Sequence, residues 1–277
     1  MLFSVGLLAL AALPSSFGAV IQARQDDPEN PPRDPQPPPP GPIFGRAPDL
    51  DKRFQPALDF DTDSCYNVQA IGPQRRPRHW HVSLRVAASA GCRNEEMLDR
   101  GNVYSRQRCN NGYCVIFYAY YFQKDTATPI DGHRHDWEHI AVWVRQSDSF
   151  VTHVAVSQHK GYDIRENSQI TWTAAENGKP AIVYHKDSIL THCFRFGSGA
   201  DAGGPGPENH KNQWITGPLL GYFGWDTVEQ RDRMLTHNWE AGSIAIKNEN
   251  FAENIRKARP AGLVFDENFD DEGTNNI

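Results

Sequence analysis

The chain has 277 residues, a formal net charge of −6 and an isoelectric point near 6.0. This length is enough for one large domain or for two smaller ones. The mildly acidic balance argues against the basic surface that nucleic-acid binding requires, so we expect no nucleic-acid partner.

Residues 1–18 have the features of a secretory signal peptide. The apolar run from Ser4 to Leu13 is too short to span a bilayer, and the small residues Gly18 and Ala19 stand at the expected cleavage point. No basic residue precedes the apolar run, which departs from the usual pattern, and a buried N-terminal helix is the alternative. Since no later stretch is long and apolar enough to cross a membrane, the sequence predicts a secreted protein.

Residues 19–53 are rich in proline and poor in apolar side chains. Such a segment cannot bury enough surface to fold, so we expect an extended or disordered pro-segment or linker. It ends at Lys52-Arg53, a dibasic pair of the kind that secretory processing proteases cut. A flexible arm that stays attached is the alternative. Residues 54–277 then form one domain.

Five cysteines in a secreted protein are first read as a disulfide framework with one thiol left over. Cys109 and Cys114 flank the turn sequence Asn-Asn-Gly-Tyr, so this pair can close a local hairpin. Cys65 and Cys92 are then the natural second pair. Cys193 lies in a phenylalanine-rich stretch, and we expect a buried, inert thiol there.

Short strand-like segments dominate the chain after Cys114. Residues 115–122 form a near-continuous apolar run that is typical of a strand buried on both faces. Further strands are predicted at residues 139–145, 151–157, 170–173 and 181–185. Two helices are predicted, one at a capping box in residues 226–229 and one from residue 250 that ends before Pro260. Many short strands separated by turn residues indicate an all-β-dominated, single-domain β-sandwich with peripheral α-helices.

The stretch Gly132-His133-Arg134-His135-Asp136-Trp137-Glu138 concentrates ionisable side chains at the start of a strand. Residues two apart in an extended chain point the same way, so Asp136 and Glu138 share a face. Two partly buried carboxylates repel each other unless a cation lies between them. Oxygen-rich ligands suit Mg²⁺, Ca²⁺ or Mn²⁺, and His133 on the preceding turn can add a ligand. The plain alternative is an exposed polar turn in which Arg134 pairs with the carboxylates.

A second alternative is the catalytic zinc motif H-x-x-E-H, which residues 135–139 match. This motif requires a helix that brings His135 and His139 onto one face. The following residues 140–144 are rich in β-branched side chains and predict a strand instead. A secreted metal-dependent hydrolase therefore stays open only as an alternative.

The heptad at residues 132–138 resembles, letter for letter, the signature of the necrosis- and ethylene-inducing-like proteins. This family of secreted microbial proteins includes many cytolysins of plant cells. Other stretches that are similar to fungal members are Leu58–Asp61, Cys109–Cys114, Tyr121–Asp125, Val183–Asp187, Thr191–Phe196, Pro207–His210 and Ala261–Asp266. The resemblance therefore covers residues 58–266. The extra cysteine pair resembles the fungal and bacterial type 2 members.

The resemblance implies a β-sandwich similar to actinoporins and fungal lectins, with a divalent cation in an acidic surface cavity. The implied cation is Mg²⁺ or Ca²⁺, with Mn²⁺ as a further option. By motif match, the implied metal ligands are Asp125, His133, Asp136 and Glu138. The implied candidates for glycan or membrane contact are His192, Trp137, Arg134 and His135.

The resemblance further implies a non-enzymatic, monomeric effector that is secreted into the host apoplast. Its expected partners are the headgroup of glycosylinositol phosphoceramides and the outer leaflet of the plant plasma membrane. The expected outcome is membrane damage, with necrosis and immune responses. The chain departs from the family at Tyr120, where a tryptophan is common, and many fungal members with an intact heptad do not kill plant cells. A non-toxic glycan-binding module is therefore a further alternative.

Overall fold

The computed structural model describes residues 41–72, 88–128, 131–159, 161–174, 178–187, 191–199, 201 and 206–271. The predicted signal peptide and most of the predicted pro-segment lie outside these residues. No helix within the described ranges is both long and apolar enough to span a membrane.

Two long antiparallel strands form the centre of the molecule. Strand β3, Tyr113–Thr128, has 16 residues, and β4, Asp131–Arg145, has 15. The apolar run at residues 115–122 of β3 is fully buried, as its composition predicts. Because both strands continue past this core, their far ends carry polar residues to the edge of the fold.

These two strands belong to a six-stranded sheet with the order β6-β5-β4-β3-β2-β9. The remaining strands of this sheet are β2 Val103–Asn110, β5 Phe150–Gln158, β6 Gly161–Glu166 and β9 Leu219–Gly221. A second sheet has three strands in the order β1-β7-β8, namely β1 Ala57–Phe60, β7 Ala181–Lys186 and β8 His192–Phe196. Neighbouring strands are antiparallel except for the pairs β1–β7 and β2–β9.

Aromatic side chains fill the space between the two sheets. The rings of Phe122 on β3 and Tyr184 on β7 stack with centroids 3.8 Å apart. Phe194 on β8 meets the ring of Tyr120 edge-on at 5.3 Å. Such contacts bury large apolar surfaces, so they hold the sheets together as a β-sandwich, as predicted.

α-Helices lie around the sandwich, and those whose bounds fall in the described residues are α1 Asp49–Phe54, α2 Met97–Arg100, α3 Val228–Thr236 and α4 Asn248–Ala258. The predicted helix near residue 226 begins one residue later than its capping box suggests, because the Thr227 side chain accepts the bond from the Gln230 N–H. Helix α4 ends before Pro260, as predicted. The fold class predicted from the sequence is confirmed.

Three of the further predicted strands are confirmed and one is wrong. The segments 139–145, 151–157 and 181–185 lie within β4, β5 and β7. The predicted strand at residues 170–173 is wrong, since Trp172 forms only an isolated bridge with Pro180. Ile170 follows a short 3₁₀-helix, Asn167–Gln169, and the next residues bond only locally, through Thr171 and Thr173, to the chain that leads into β7.

The cysteines pair as predicted. Disulfides join Cys65 to Cys92 and Cys109 to Cys114. The second bridge closes the β2–β3 hairpin, where these two cysteines face each other across the strands. Cys193 is a free, buried thiol, and burial raises its pKa to about 12.

Residues 41–54, which we call the N-terminal strap, pack against the sandwich rather than extending from it. The backbone N–H and carbonyl of Ile43 both bond to the Asn102 side chain at 2.9 Å. Asp51 on α1 accepts a bond from the Ser105 hydroxyl at 2.6 Å, and its carbonyl accepts one from Tyr118 at 2.8 Å. The expectation of an extended or disordered segment is therefore wrong for residues 41–53. Cleavage after Lys52-Arg53 and the domain boundary at residue 54 stay predictions.

Asp51 in the strap gives a prediction for pH dependence. Burial raises the pKa of its carboxyl to about 7, and the Ser105 hydrogen bond offsets only part of this rise. Unfolded aspartate loses its proton near pH 4, so folding takes up a proton between about pH 4 and 7, and stability falls as pH rises through that window. Asp51→Asn removes this dependence. Urea unfolding should show a smaller loss of stability from pH 4.5 to 7.5 in the variant.

The matched control is Asp49→Asn, since the Asp49 side chain lies on the same helix and is 99% exposed. This control should follow the wild-type pH profile. Equal slopes for Asp51→Asn and wild type would contradict the assignment of a raised pKa to Asp51.

Candidate functional site

The polar ends of β3 and β4 contain a break in the strand pleat. Asp125 pairs with His133, and Phe122 pairs with Asp136. His133 and Asp136 are therefore three residues apart on β4, and their partners are three residues apart on β3. A regular pleat would send Asp125 and Asp136 to opposite faces. Between them His135 has a φ of 60°, a left-handed conformation that interrupts the alternation. The ligand atoms of Asp125, His133 and Asp136 consequently lie within 4.8 Å of one another.

Hydrogen bonds from the smaller sheet hold these carboxylates in place. The Asp125 carboxylate accepts bonds from the backbone N–H of His192 at 2.9 and 3.0 Å. The Nδ1 atom of His192 lies 2.7 Å from the same carboxylate. Asp136 accepts a bond from the Tyr184 hydroxyl at 3.1 Å. Two carboxylates from the large sheet are therefore oriented by β7 and β8 of the small one.

Glu138 lies beside this cluster but outside its three closest members. It lines the same cavity as Asp136, in agreement with the predicted shared face. Its carboxylate accepts a bond from the Ser157 hydroxyl, which in turn accepts the His139 backbone N–H at 2.8 Å. The structure thus brings Asp125, His133 and Asp136 together and places Glu138 at the edge of the group.

The electrostatics of the cluster favour a cation. Burial, followed by the negative charge of Asp125, raises the pKa of Asp136 to about 7. Burial and the charge of Asp136 raise the pKa of Glu138 well above its usual value. A divalent cation would relieve both effects, because it stabilises the ionised carboxylates.

Two buried imidazole nitrogens provide an independent test of whether these residues suit a divalent cation. His133 Nδ1 and His192 Nε2 have no hydrogen-bond partner within the described part of the chain. Buried polar atoms are normally paired, so an unpaired nitrogen beside buried carboxylates suits a ligand position. Carboxylate oxygens with one imidazole fit Mg²⁺, Ca²⁺ or Mn²⁺. Asp125, His133 and Asp136 would hold such an ion, with Glu138 and His192 next to it.

The plain alternative of an exposed polar turn does not agree with this geometry. Asp136 and Glu138 are buried, at 8% and 6% exposure. In the described ranges Arg134 forms no ion pair with either carboxylate, and it lies opposite Lys124 on β3. His133 lies within β4 rather than on a turn before the strand, which corrects that part of the expectation.

The zinc-protease motif is not formed either, because residues 131–145 are a strand. His135 Nδ1 lies 2.7 Å from the Tyr121 hydroxyl, and its ring packs against Trp239. His139 Nε2 accepts the backbone N–H of Ala245 at 2.9 Å, and burial lowers the pKa of this imidazole to about 3. Both histidines therefore hold the segment around residues 239–245 against β4.

The remaining glycan and membrane candidates occupy different environments. His192 lines the cavity beside Asp125. Arg134 is half-buried. Trp137 and His135 are only 4% and 5% exposed and contact the Trp239 ring, and of the two only Trp137 lines the cavity. These four assignments stay predictions.

The cluster opens into a cavity of about 600 Å³. Its opposite wall is helix α4, which contributes Glu249, Glu253 and Lys257. Residues four apart share one face of a helix, so this spacing in the sequence was the signal that could have identified the wall. Sequence reasoning also missed the roles of Ser157 and Tyr184, which come from distant strands, although Tyr184 lies in one of the stretches that resemble the family.

Comparisons with known proteins identify the family. Residues 49–258 match the family model described as Necrosis inducing protein (NPP1). NLP effector protein 2 of Phytophthora capsici is 31% identical over 217 residues, covering 75% of this chain and 78% of the relative. The necrosis-inducing protein NPP1 of Phytophthora nicotianae is 40% identical over 180 residues, covering 62% and 67%.

Solved structures agree in fold. A structure described as a toxin fold for microbial attack and plant defence has a TM-score of 0.65 and 24% identity, covering 79% of this chain and 96% of that one. A complex of NLPPya with mannosamine has a TM-score of 0.64 at the same identity and coverage. The non-toxic HaNLP3 protein has a TM-score of 0.64 at 22% identity, covering 81% and 99%.

The fold is therefore that of the necrosis-inducing toxin proteins. This chain belongs to the NPP1 family, the necrosis- and ethylene-inducing-like proteins, because the family model matches well over half of its length. The relatives named above are Phytophthora proteins, so membership of a fungal type 2 subgroup stays a prediction.

The site assignment predicts different cation affinities for variants on the two sides of β4. Asp136→Asn removes a charge from the cluster and should weaken Mg²⁺ or Ca²⁺ binding by at least about tenfold, since even an outer-shell residue is worth that much. His139→Ala should keep the affinity within a few-fold but cost about 1–3 kcal/mol of stability, because the Ala245 N–H loses its acceptor. Isothermal titration and urea unfolding measure the two effects. Equal loss of cation affinity in both variants would contradict the assignment.

Proposed function

We propose that this protein is a secreted effector that uses a cation-holding cavity to bind a glycolipid headgroup of plant cells and then damages the membrane. The single observation that carries the proposal is the group formed by the buried Asp125 and Asp136 and the half-buried His133 in a polar cavity of a toxin-family fold.

The cation resolves an electrostatic difficulty. The chain has a net charge of −6 and a cavity floor of buried carboxylates, so it would repel an anionic headgroup. Mg²⁺ or Ca²⁺ at this floor offers a positive centre whose remaining positions accept oxygen atoms of a ligand. The protein's own contribution is orientation: His192 and Tyr184 fix the two carboxylates before any ligand arrives.

The proposed ligand class is a sugar headgroup. Family structures have been described in complex with mannosamine and glucosamine, and this chain has a polar cavity of about 600 Å³, large enough for a sugar residue. Asn250 and Asn254 on α4 line the wall opposite the cluster, so polar side chains face the space that a sugar would occupy. The specific headgroup that we propose is that of glycosylinositol phosphoceramides in the outer leaflet of the plant plasma membrane.

We infer further that the protein acts in the host apoplast as a monomer, without enzymatic turnover, and induces necrosis and immune responses. Membership of a necrosis-inducing family supports this outcome. The zinc-hydrolase alternative has less support, since the His135 imidazole is bonded to the Tyr121 hydroxyl and the His139 imidazole accepts the Ala245 N–H.

A second candidate function is glycan binding without membrane damage. HaNLP3, described as non-toxic, has the same fold with a TM-score of 0.64. Fold and toxicity are therefore separable in this family. In that case the cavity would still hold a cation and a sugar, but vesicles would stay intact.

A leakage assay tests the main proposal. Vesicles that contain plant glycosylinositol phosphoceramides and a trapped dye should leak when the protein and Mg²⁺ or Ca²⁺ are added. Leakage should stop with a chelator and return when the cation is restored. Asp136→Asn should lose most of the activity, because the variant binds the cation weakly.

Asp148→Asn is the matched control, because Asp148 is an exposed acid paired with Arg145 away from the cavity. It should leak dye as the wild type does. Headgroup binding with intact vesicles would select the second candidate, and leakage that is unaffected by chelator and by Asp136→Asn would contradict both.

A further inference from the structure

A second group of side chains with atoms suited to metal binding is distinct from the Asp125 cluster, and only His159 among them lines the acidic cavity. His159 follows β5, His185 is on β7, Asp187 follows β7, and Cys193 is on β8. We call these four residues the outer cluster. Ligand atoms of His159, Asp187 and Cys193 lie within 4.8 Å of one another.

Strand geometry brings the outer cluster together. His185 and Cys193 are direct partners in the antiparallel pair β7–β8, so their side chains lie on the same face of the small sheet. Asp187 is two residues after His185 and shares that face. Cys193 follows His192 directly, and alternation turns its thiol away from the side on which His192 contacts Asp125. The outer cluster is therefore separate from the cavity cluster.

The distances within the cluster suit a tetrahedral ion. His185 Nε2 lies 3.6 Å from Cys193 Sγ, and His159 Nε2 lies 3.0 Å from the Asp187 carboxylate. Donors that are each about 2.0–2.3 Å from a tetrahedral zinc ion are roughly 3.5 Å apart. Both contacts are near this spacing. His185 is outside the group of three whose ligand atoms lie within 4.8 Å of one another, so its side chain has to move toward that group to complete the coordination.

The donor set determines which ion would bind. One thiolate, two imidazoles and one carboxylate make a borderline-soft site, which selects zinc-like ions over Mg²⁺ and Ca²⁺. The cavity cluster has no thiol and is rich in oxygen, so the two groups differ in preference. We propose that His159, His185, Asp187 and Cys193 form a binding site for a borderline-soft divalent cation, with zinc as the best fit.

The structure also indicates how an ion reaches the outer cluster and what its binding would do. The side chains of His159 and Asp187 are 32% and 43% exposed, so an ion can enter from solvent, whereas Cys193 is buried at the base. The ion displaces the thiol proton on binding, as in other cysteine-ligated zinc sites. His159 also lines the rim of the cavity, so a bound ion would tie this rim to β7 and β8. This inference does not rest on the proposed function.

Cobalt(II) provides a direct probe, because a cobalt–thiolate bond gives a charge-transfer absorption that oxygen and nitrogen ligands do not. Wild-type protein is titrated with Co²⁺ in saturating Mg²⁺, which occupies the cavity cluster. We expect the thiolate band to saturate at one equivalent and to disappear when Zn²⁺ is added. Zn²⁺ should also raise the Tm of the wild type, since it binds the native state.

Variants distinguish the site from adventitious binding. Cys193→Ser should lose the thiolate band, and His159→Gln should weaken Co²⁺ binding by at least about tenfold. His153→Gln is the matched control, because this histidine is on β5 outside the outer cluster, and it should bind as the wild type does. Because His159 is exposed, its variant keeps the test valid if Cys193→Ser fails to fold. A wild type without the band, or equal Co²⁺ affinity in His159→Gln and wild type, would overturn the proposal.

Discussion

The contact between Asp125 and His192 is the interaction on which the functional end of the molecule depends. Asp125 lies on β3 of the large sheet, and His192 is the first residue of β8 in the small one. Three short contacts, at 2.7, 2.9 and 3.0 Å, join them in a buried position. Hydrogen bonds in a low-dielectric environment are strong, so these contacts fix the spacing of the two sheets where the cavity opens.

The left-handed conformation of His135 is stabilised from behind the cavity. A histidine whose backbone φ is 60° is strained, and such strain persists only where the surroundings compensate for it. The Tyr121 hydroxyl and the Trp239 ring contact this imidazole. Gly242 passes so close that an added Cβ would lie 2.7 Å from the His135 carbonyl oxygen, which explains a glycine there. The aromatic layer behind β4 thus keeps the cluster in its convergent arrangement.

Sequence patterns predicted those parts of the structure that depend on local periodicity. The buried run at residues 115–122, the Cys109–Cys114 hairpin and the strand after the heptad all follow from neighbouring residues. The pleat break at His135 could not be predicted this way, because alternation rules assume regular strands. Tyr184 and Ser157 reach the carboxylates from strands far away in sequence, and a single sequence contains no signal for such pairs. The high proline content of residues 19–53 led to the prediction of a disordered segment. The few residues that anchor the strap, such as Ile43 and Asp51, could not be recognised from that composition.

The folded N-terminal strap affects the predicted cleavage after Lys52-Arg53. Lys52 and Arg53 lie in the last turn of α1, and Asp51 beside them is buried against Ser105. A processing protease needs an extended backbone, so the helical conformation at Lys52-Arg53 opposes the predicted cleavage once the strap has folded. A chain cut after Arg53 would leave the hydroxyls of Ser105 and Tyr118 without these partners. If the predicted cleavage occurs, the cut form would therefore be less stable than the uncut form.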